Sequence, residues 1–115
     1  YLAKTSQILK DKMSSDETIN GITVTSSGFY GPQGRQLRLK NKVSKINEQL
    51  TAFRSGHHRI VNFEMESSAL FAVGKALGHN CATICLGIAN RPKEEFSAGY
   101  NDEMIKLIKY VLGRI

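Results

Sequence analysis

The stretch Ser27–Arg35 places an aromatic ring, an amide and a guanidinium in one short loop. The face of Phe29 can stack on a flat heterocycle. Gln33 has one acceptor and two donors, which complement a ring with adjacent carbonyl and N–H groups. Arg35 offers a cationic fork for a carbonyl oxygen or a developing ring anion. The local pattern also fits an ordinary glycine-rich surface loop, and by itself it slightly favours that interpretation.

Two carboxylates, Glu64 and Glu66, flank Met65. If the strand continues through them, residues two apart share one side of it. A carboxylate placed there can accept hydrogen bonds from two vicinal hydroxyls, such as the 2′,3′-diol of a ribose. The alternative is that Glu66 begins the following helix, where its charge interacts favourably with the helix dipole. One residue can serve both purposes.

The segment that carries these carboxylates, Ile60–Ile88, has the pattern of a β-α-β unit. Ile60–Met65 is short, apolar and β-rich, which predicts a strand. From Ala69 the apolar residues recur at helical spacing as far as Gly78, a residue type that often ends helices. Cys81–Ile88 is almost wholly apolar and predicts a second strand, parallel to the first and buried on both faces.

Parallel strands end at the same edge of a sheet, where open α/β sheets bind ligands. The predicted edge holds Glu64–Glu66 after the first strand and Ala89–Arg91 after the second. Gly21–Ser26 is rich in β-branched residues and predicts another strand. If it is parallel to the other two, the Ser27–Arg35 loop joins the same edge.

Helices are predicted around these strands. The spacing of apolar residues indicates helices over Tyr1–Met13, Leu37–Phe53 and Asp102–Arg114, the last with Asp102 as its N-cap. Arg54–Arg59 predicts a turn. Because the chain begins inside or just before a helix, we expect it to be part of a longer protein.

Composition narrows the class of protein. A length of 115 residues is enough for one compact domain, and an apolar fraction of 41% argues against disorder. The sequence contains no apolar run long enough to span a bilayer and no signal peptide, so we expect a cytoplasmic protein without a membrane partner. Cys81 and Cys85 are interpreted as buried, reduced thiols. The adjacent His57 and His58 diverge and have no third ligand nearby, so no metal site is predicted.

The net charge of +6 at pH 7 is compatible with a nucleic-acid partner. The basic residues are scattered, however, apart from a cluster between Arg35 and Lys45. A solvated basic face, or attraction of an anionic substrate, accounts for the charge equally well. A nucleic-acid surface also needs aromatic residues interleaved with Lys and Arg, and only Phe29, Tyr30 and Arg35 approach that pattern. We therefore expect no nucleic-acid partner.

Three separated segments, SSGFYGPQGR, NFEMESSALFAVGKALGH and GIANR, together resemble the uridine phosphorylases of the nucleoside phosphorylase superfamily. The resemblance is close from Gly21 to about Arg91 and loose over the final helix. It implies an α/β fold of the phosphorylase/hydrolase-like kind, with a mixed, twisted central sheet flanked by helices, here as a partial domain. It also implies that residues 1–115 are the C-terminal part, about half, of a single nucleoside phosphorylase domain.

The resemblance assigns the residues that recognise the base. It implies that Phe29 packs against the nucleoside and that Gln33 and Arg35 bind the uracil edge. Ile88 and Ala89 are expected to line the base pocket.

A second group is assigned to the sugar. Glu64 is expected beside the nucleoside, Met65 against the sugar, and Glu66 on the ribose hydroxyls. In the base pocket, Arg91 is expected to support Arg35. The resemblance makes Arg35 and Glu66 the expected catalytic residues.

The resemblance also bears on the base and on the second substrate. Purine-specific relatives typically have an Asp where this chain has Asn90, and an amide cannot supply the proton that such an Asp gives to a purine. Asn90 together with Gln33 and Arg35 therefore favours a pyrimidine. Phosphate, the expected co-substrate, is held in the family by a Gly-rich loop and arginines of the N-terminal half, so the isolated fragment is expected to be inactive. No other cofactor is expected, and the intact protein is expected to be a homo-oligomer, either a dimer or a hexamer.

The function implied is pyrimidine nucleoside phosphorolysis, in which uridine and phosphate give uracil and ribose 1-phosphate. A nucleosidase that uses water on the same fold, or a purine nucleoside phosphorylase, remains an alternative. A third is a binding or regulatory protein that keeps the pocket without the chemistry. Intact Gln33, Arg35 and Glu66 argue against this third alternative.

Overall fold

The computed structural model describes residues 1–90 and 93–115, which form a small α/β structure. The elements in chain order are α1 (Gln7–Met13), β1 (Ile22–Thr25), a 3₁₀ turn (Gly31–Gln33), α2 (Ile46–Ala52), β2 (Arg54–Ser55), β3 (His58–Glu64), α3 (Ser67–Ala76), β4 (Ala89–Asn90), β5 (Glu95–Phe96) and α4 (Tyr100–Leu112). No helix in this described part of the chain is both long and apolar enough to cross a membrane.

Strands β1, β3 and β2 form a mixed three-stranded sheet in that order. β1 is parallel to β3, with Thr23 opposite Asn62 and Thr25 opposite Glu64. β2 runs antiparallel to β3 through the tight turn at Gly56, whose φ of 59° favours glycine. The predicted strands around Gly21–Ser26 and Ile60–Met65 are therefore confirmed, and so is their parallel arrangement.

Helix α3 follows β3 directly and ends as its sequence predicts. Gly78 has φ 74°. Its N–H bonds the carbonyl of Lys75 at 3.1 Å, and the N–H of His79 bonds the carbonyl of Gly74 at 2.8 Å. This pair of bonds is the Schellman motif, which satisfies the last carbonyls of a helix. The first strand and the helix of the predicted β-α-β unit are thus present.

The predicted second strand of that unit is wrong, because residues 81–88 form no strand. Side chains connect this segment to β3 and to the start of α3. The hydroxyls of Ser67 and Thr83 lie 2.9 Å apart, and the side chain of Asn62 bonds the Cys85 thiol. A strand requires a regular backbone ladder with a neighbour, which an apolar sequence alone does not guarantee. Cys81 is half-buried and Cys85 is exposed, so the prediction that both thiols are buried is also wrong.

Three predicted helices are shorter or shifted. α1 begins at Gln7 instead of Tyr1. α2 covers only Ile46–Ala52 of the predicted Leu37–Phe53, since Lys45 before it is left-handed (φ 55°). Like charges four positions apart, at Arg38 and Lys42, also oppose a helix there. α4 begins earlier than predicted, and its N-cap is Gly99; Asp102 lies in the first turn instead.

Burial is slight throughout the described residues. No hydrophobic side chain among them is buried, whereas the polar residues Ser26, Gln33 and Ser67 are. The end of the chain is tied to its start by Tyr110, whose hydroxyl lies 2.7 Å from the carbonyl oxygen of Met13 and 2.8 Å from Oγ of Ser15. Polar contacts thus contribute much of the specific packing in this part of the molecule.

Candidate functional site

Two loops meet where β1 and β3 end. Both strands run in the same direction, so their carboxyl ends lie at one edge of the sheet. The N–H of Ser26 donates to the carbonyl of Glu64 at 2.9 Å, which joins the two loops at their first residues. The Ser27–Arg35 loop and the Met65–Glu66 connection therefore start side by side, as the sequence predicts.

Within the first of these loops the aromatic, amide and guanidinium groups contact one another. The guanidinium carbon of Arg35 lies 3.6 Å from the centroid of the Phe29 ring. Nη1 of Arg35 donates to Oε1 of Gln33 at 3.2 Å and also to the backbone carbonyl of Phe29. Gln33 is 3% exposed, while Phe29 is 50% exposed. A buried amide, a cation and an open aromatic surface are thereby brought together.

Backbone geometry explains how three residues so close in sequence come to face each other. Pro32 stands at the start of the 3₁₀ turn, and Gly34 closes that turn with φ 75°. The reversal returns the N–H of Arg35 to the carbonyl of Tyr30 at 3.0 Å. A side chain at Gly34 would collide with the amide of Asn47 as well as strain the backbone. Gly34 was not among the predicted site residues.

The second loop is organised by the carboxylate of Glu64. One oxygen, Oε1, accepts a hydrogen bond from the Thr25 hydroxyl. The other, Oε2, accepts from the N–H of Glu66 at 2.8 Å and from the N–H of Ser67 at 2.6 Å. The N–H of Ser67 belongs to the first turn of α3, where backbone donors have no partner within the helix. Glu64 therefore links the end of β1 to the start of α3.

The pKa of Glu64 reflects these contacts. Partial burial acts to raise it, but hydrogen bonds from Thr25, from the N–H groups of Ser67 and Glu66 and from the Ser67 hydroxyl outweigh that effect. The net pKa lies below the ordinary value of a glutamate, because these donors stabilise the charged form. Glu64 is thus held as a carboxylate.

Met65 and Glu66 are open to solvent at this edge. Met65 is 41% exposed, and Glu66 is also exposed. Oε2 of Glu66 accepts a weak hydrogen bond from the N–H of Met65 at 3.2 Å. Glu66 is also the N-cap residue of α3. Both interpretations of this residue from sequence, the start of a helix and an available carboxylate, are compatible with the structure.

Several polar residues at this edge were missed from sequence. Thr25 and Ser67 bind Glu64, and Thr83 lies 2.9 Å from the Ser67 hydroxyl. A parallel link joins Thr23 to Asn62 at 2.7 Å. The signal was the alternation of polar residues two apart in both strands, which places them on one face. Recognising it would have required knowing that β1 pairs with β3 in this register.

The thiol of Cys85 lies close to the same carboxylates. Its pKa is raised, first by partial burial and then by the negative charges of Glu64 and Glu66, against the opposing effect of a hydrogen bond from Asn62. The thiol form is therefore favoured, and Cys85 contributes no additional anion to this edge.

The remaining predicted residues lie elsewhere or outside the description. Ala89 belongs to β4, a short strand that pairs with β5 in a second sheet. Ile88 precedes it and is 45% exposed. The amide of Asn90 donates to Glu95 at 3.3 Å. The contacts described for these residues do not join them to Phe29 or Glu66. Arg91, the expected buttress of Arg35, falls outside the described residues.

The described residues offer no candidate metal centre. Nowhere within 1–90 and 93–115 do three or more His, Cys, Asp or Glu side chains form a group that could hold a metal ion. The rings of His57 and His58 lie 4.0 Å apart, centroid to centroid, on the β2–β3 hairpin. The groups gathered at the sheet edge are a cation, a buried amide, an open aromatic ring and two carboxylates.

A uridine phosphorylase of Haemophilus influenzae is 36% identical to this chain over 75 residues, a match that covers 65% of the chain and 29% of the relative. The chain thus matches less than a third of that protein's length. No protein-family model matches the chain, and no solved structure is significantly similar to it. The match supports a relationship to the nucleoside phosphorylases and, at a coarse level, to enzymes of nucleoside metabolism that transfer a glycosyl group.

Proposed function

We propose that this chain carries the nucleoside-binding part of a pyrimidine nucleoside phosphorylase, which converts uridine and phosphate to uracil and ribose 1-phosphate. The observation that carries the proposal is the cluster of Phe29, Gln33 and Arg35 beside the Glu64–Glu66 connection at one sheet edge. The similarity to a uridine phosphorylase supports it independently.

The proposed roles rest on the resemblance to uridine phosphorylases together with the chemistry of each group. Uracil presents carbonyl and N–H groups that an amide and a guanidinium complement. The face of Phe29 packs against the nucleoside, with Ile88 and Ala89 completing the base pocket. Gln33 and Arg35 bind the uracil edge, with Arg91 as a buttress for Arg35.

The sugar is bound by the second loop in this proposal. Glu66 accepts hydrogen bonds from the ribose hydroxyls, and Met65 packs against the sugar ring. Glu64 lies beside the nucleoside. Fixing the sugar in this way lowers the entropic part of the activation barrier.

The reaction is a substitution at the anomeric carbon. A phosphate oxygen forms the new C–O bond as the glycosidic C–N bond breaks, through an oxocarbenium-like transition state. The electron pair of the C–N bond passes to uracil, which leaves as an anion and then takes a proton. Arg35 and Gln33 stabilise the charge that develops on the ring, an effect of about 3 kcal/mol for one good donor. We propose that phosphate is held by residues outside this chain, in a homo-oligomeric protein.

The test measures uracil release from uridine by the complete protein that carries this sequence, with and without phosphate, and inosine as a parallel substrate. Release that depends on phosphate, with no reaction of inosine, is the expected result. Release without phosphate would reassign the protein as a nucleosidase. Reaction of inosine would remove the pyrimidine preference inferred from Asn90, and binding of uridine without turnover would indicate a binding protein.

A further inference from the structure

Both oxygens of the Glu64 carboxylate are occupied by the protein itself. Oε1 bonds the hydroxyl of Thr25 on β1, and Oε2 bonds the N–H groups of Glu66 and Ser67 at 2.8 and 2.6 Å. The hydroxyl of Ser67 also helps to lower the pKa of this carboxyl, and it lies 2.9 Å from the hydroxyl of Thr83.

These contacts fix the position of the backbone at Glu66. The peptide N–H of Glu66 is fixed at 2.8 Å from Glu64, and the next N–H, that of Ser67, is fixed by the same oxygen. Glu66 lies between the strand and the helix, where the chain changes direction. The positions of its Cα and Cβ are therefore fixed by the Glu64 carboxylate, whose other oxygen bonds Thr25 on β1.

We propose that Glu64, held by Thr25, is a positioning residue that orients Glu66 for the ribose hydroxyls. The inference rests on the proposed function, and it gives Glu64 a task that does not use its carboxylate on the ligand. Hydrogen bonds to a charged group are among the stronger ones in proteins, which suits a contact that must fix a loop. Because Glu66 is already positioned before the ligand arrives, the conformational cost of binding is lower.

The chain provides a matched pair of variants for the test. Thr23 and Thr25 lie on the same strand, and each hydroxyl bonds a β3 side chain, Asn62 and Glu64 respectively. Thr25→Val and Thr23→Val each remove one such bond with little change of shape. Only Thr25→Val acts on the carboxylate that fixes Glu66. In the complete protein that carries this sequence, we expect Thr25→Val and Glu64→Gln to lower kcat/KM for uridine about tenfold, mainly through KM. Thr25→Ser is expected to be close to wild type, and Thr23→Val to be within about twofold of it.

A double-mutant cycle separates positioning from general loosening of the sheet. In a Glu66→Ala background, Thr25→Val is expected to change kcat/KM by less than about twofold, because the group it orients is absent. An equal effect in both backgrounds, or an equal effect of Thr23→Val, overturns the positioning role while the proposed function stands. If the wild-type protein binds uridine without releasing uracil, the proposed function is overturned. The positioning role is then tested by the same double-mutant cycle with the Kd for uridine in place of kcat/KM.

A measurement on the wild type keeps the inference testable if Thr25→Val does not fold. The amide protons of Glu66 and Ser67 are expected to shift together as the Glu64 carboxyl takes up its proton, at a pH below the ordinary range of a glutamate because its pKa is lowered. Amide signals that do not respond to this titration would show that Glu64 does not hold this loop in solution.

Discussion

The guanidinium of Arg35 lies over the ring of Phe29, its central carbon 3.6 Å from the ring centroid. The two residues are six positions apart, and Arg35 also bonds the Phe29 carbonyl, so the side chain folds back over its own loop. A cation over an exposed aromatic ring contributes about 0.5–1 kcal/mol. This interaction and the bond to the buried Gln33 together restrict the Arg35 side chain, so its positive charge lies beside the exposed aromatic ring.

The first prediction concerns Arg35 in turnover. Arg35→Ala is expected to lower kcat about 100-fold with a smaller change in KM, because the charge it stabilises develops mainly in the transition state. Arg38→Ala, at an exposed position three residues further on, is the control and is expected to be near wild type. The measurement is steady-state kinetics with uridine on the complete protein that carries this sequence. Undiminished kcat in Arg35→Ala would remove Arg35 from the reaction.

Phe29 is expected to act in binding. Phe29→Leu keeps an apolar side chain but loses the aromatic face, so KM for uridine is expected to rise about three- to tenfold, in line with about 0.5–1.5 kcal/mol for an aromatic contact. Phe53→Leu, at a 49% exposed position after α2, is the matched control. Equal KM values for the two variants would mean that the base does not rest on Phe29.

Glu66 is expected to affect both kinetic parameters. Glu66→Ala removes the acceptor for the ribose hydroxyls, so kcat is expected to fall and KM to rise, with kcat/KM lower by at least about tenfold. The loss is expected to be smaller for 2′-deoxyuridine, which lacks one of the two hydroxyls. A comparison of both substrates in wild type and variant measures this. The same loss for both substrates would show that Glu66 does not sense the 2′-hydroxyl.

The lowered pKa of Glu64 predicts a pH dependence of folding stability. In the unfolded chain this carboxyl takes up its proton near about pH 4.3, whereas in the folded protein it does so at a lower pH. Glu64 therefore stabilises the fold fully above the unfolded-state pKa, and this contribution is lost as the pH falls through the folded-state pKa. Urea unfolding of wild type and Glu64→Gln at several pH values is the measurement.

The expected result is a stability difference between these proteins at pH 7 that shrinks below about pH 4. Glu17→Gln, at an exposed position in another loop, is the control. A difference between wild type and Glu64→Gln that stays constant from pH 7 to pH 3 would contradict the prediction.

Gly74 is expected to be intolerant of any side chain. A Cβ there would overlap the Sγ of Cys81, where residues 81–88 pass behind α3. Gly74→Ala is expected to destabilise the protein by about 1–3 kcal/mol, as overpacking does. Adding Cys81→Ala removes the sulfur and is expected to restore much of the loss. Thermal unfolding of the single and double variants measures both effects, and a double variant as unstable as Gly74→Ala would disprove the steric explanation.

Local features of the sequence were the most predictable. Strand β3, helix α3 and its stop at Gly78 follow from periodicity and a glycine in the left-handed conformation, which depend on neighbours in the chain. Residues 81–88 look equally clear by composition, yet a strand exists only if a backbone ladder forms with another segment, and here side chains make the connection instead.

The candidate site shows the same division. The contact of Phe29, Gln33 and Arg35 was predictable because all three lie in one loop. The hydrogen bond from Thr25 to Glu64 was not predictable, because it depends on the register of two strands. From sequence Glu64 therefore looked like a residue beside the ligand, and the tie to Thr25 became visible only with the strands in place.

The bond between Thr25 and Glu64 joins residues 39 positions apart. The parallel pairing of β1 with β3 closes a long segment of chain, and contacts of this kind form slowly because closure must precede the gain from pairing. The hydrogen bonds within the Phe29–Arg35 loop and those along the α3 backbone are local, so these two elements can form early. In refolding, helical structure is thus acquired ahead of ligand binding, and a nascent chain acquires a binding edge only after Glu64 has left the ribosome.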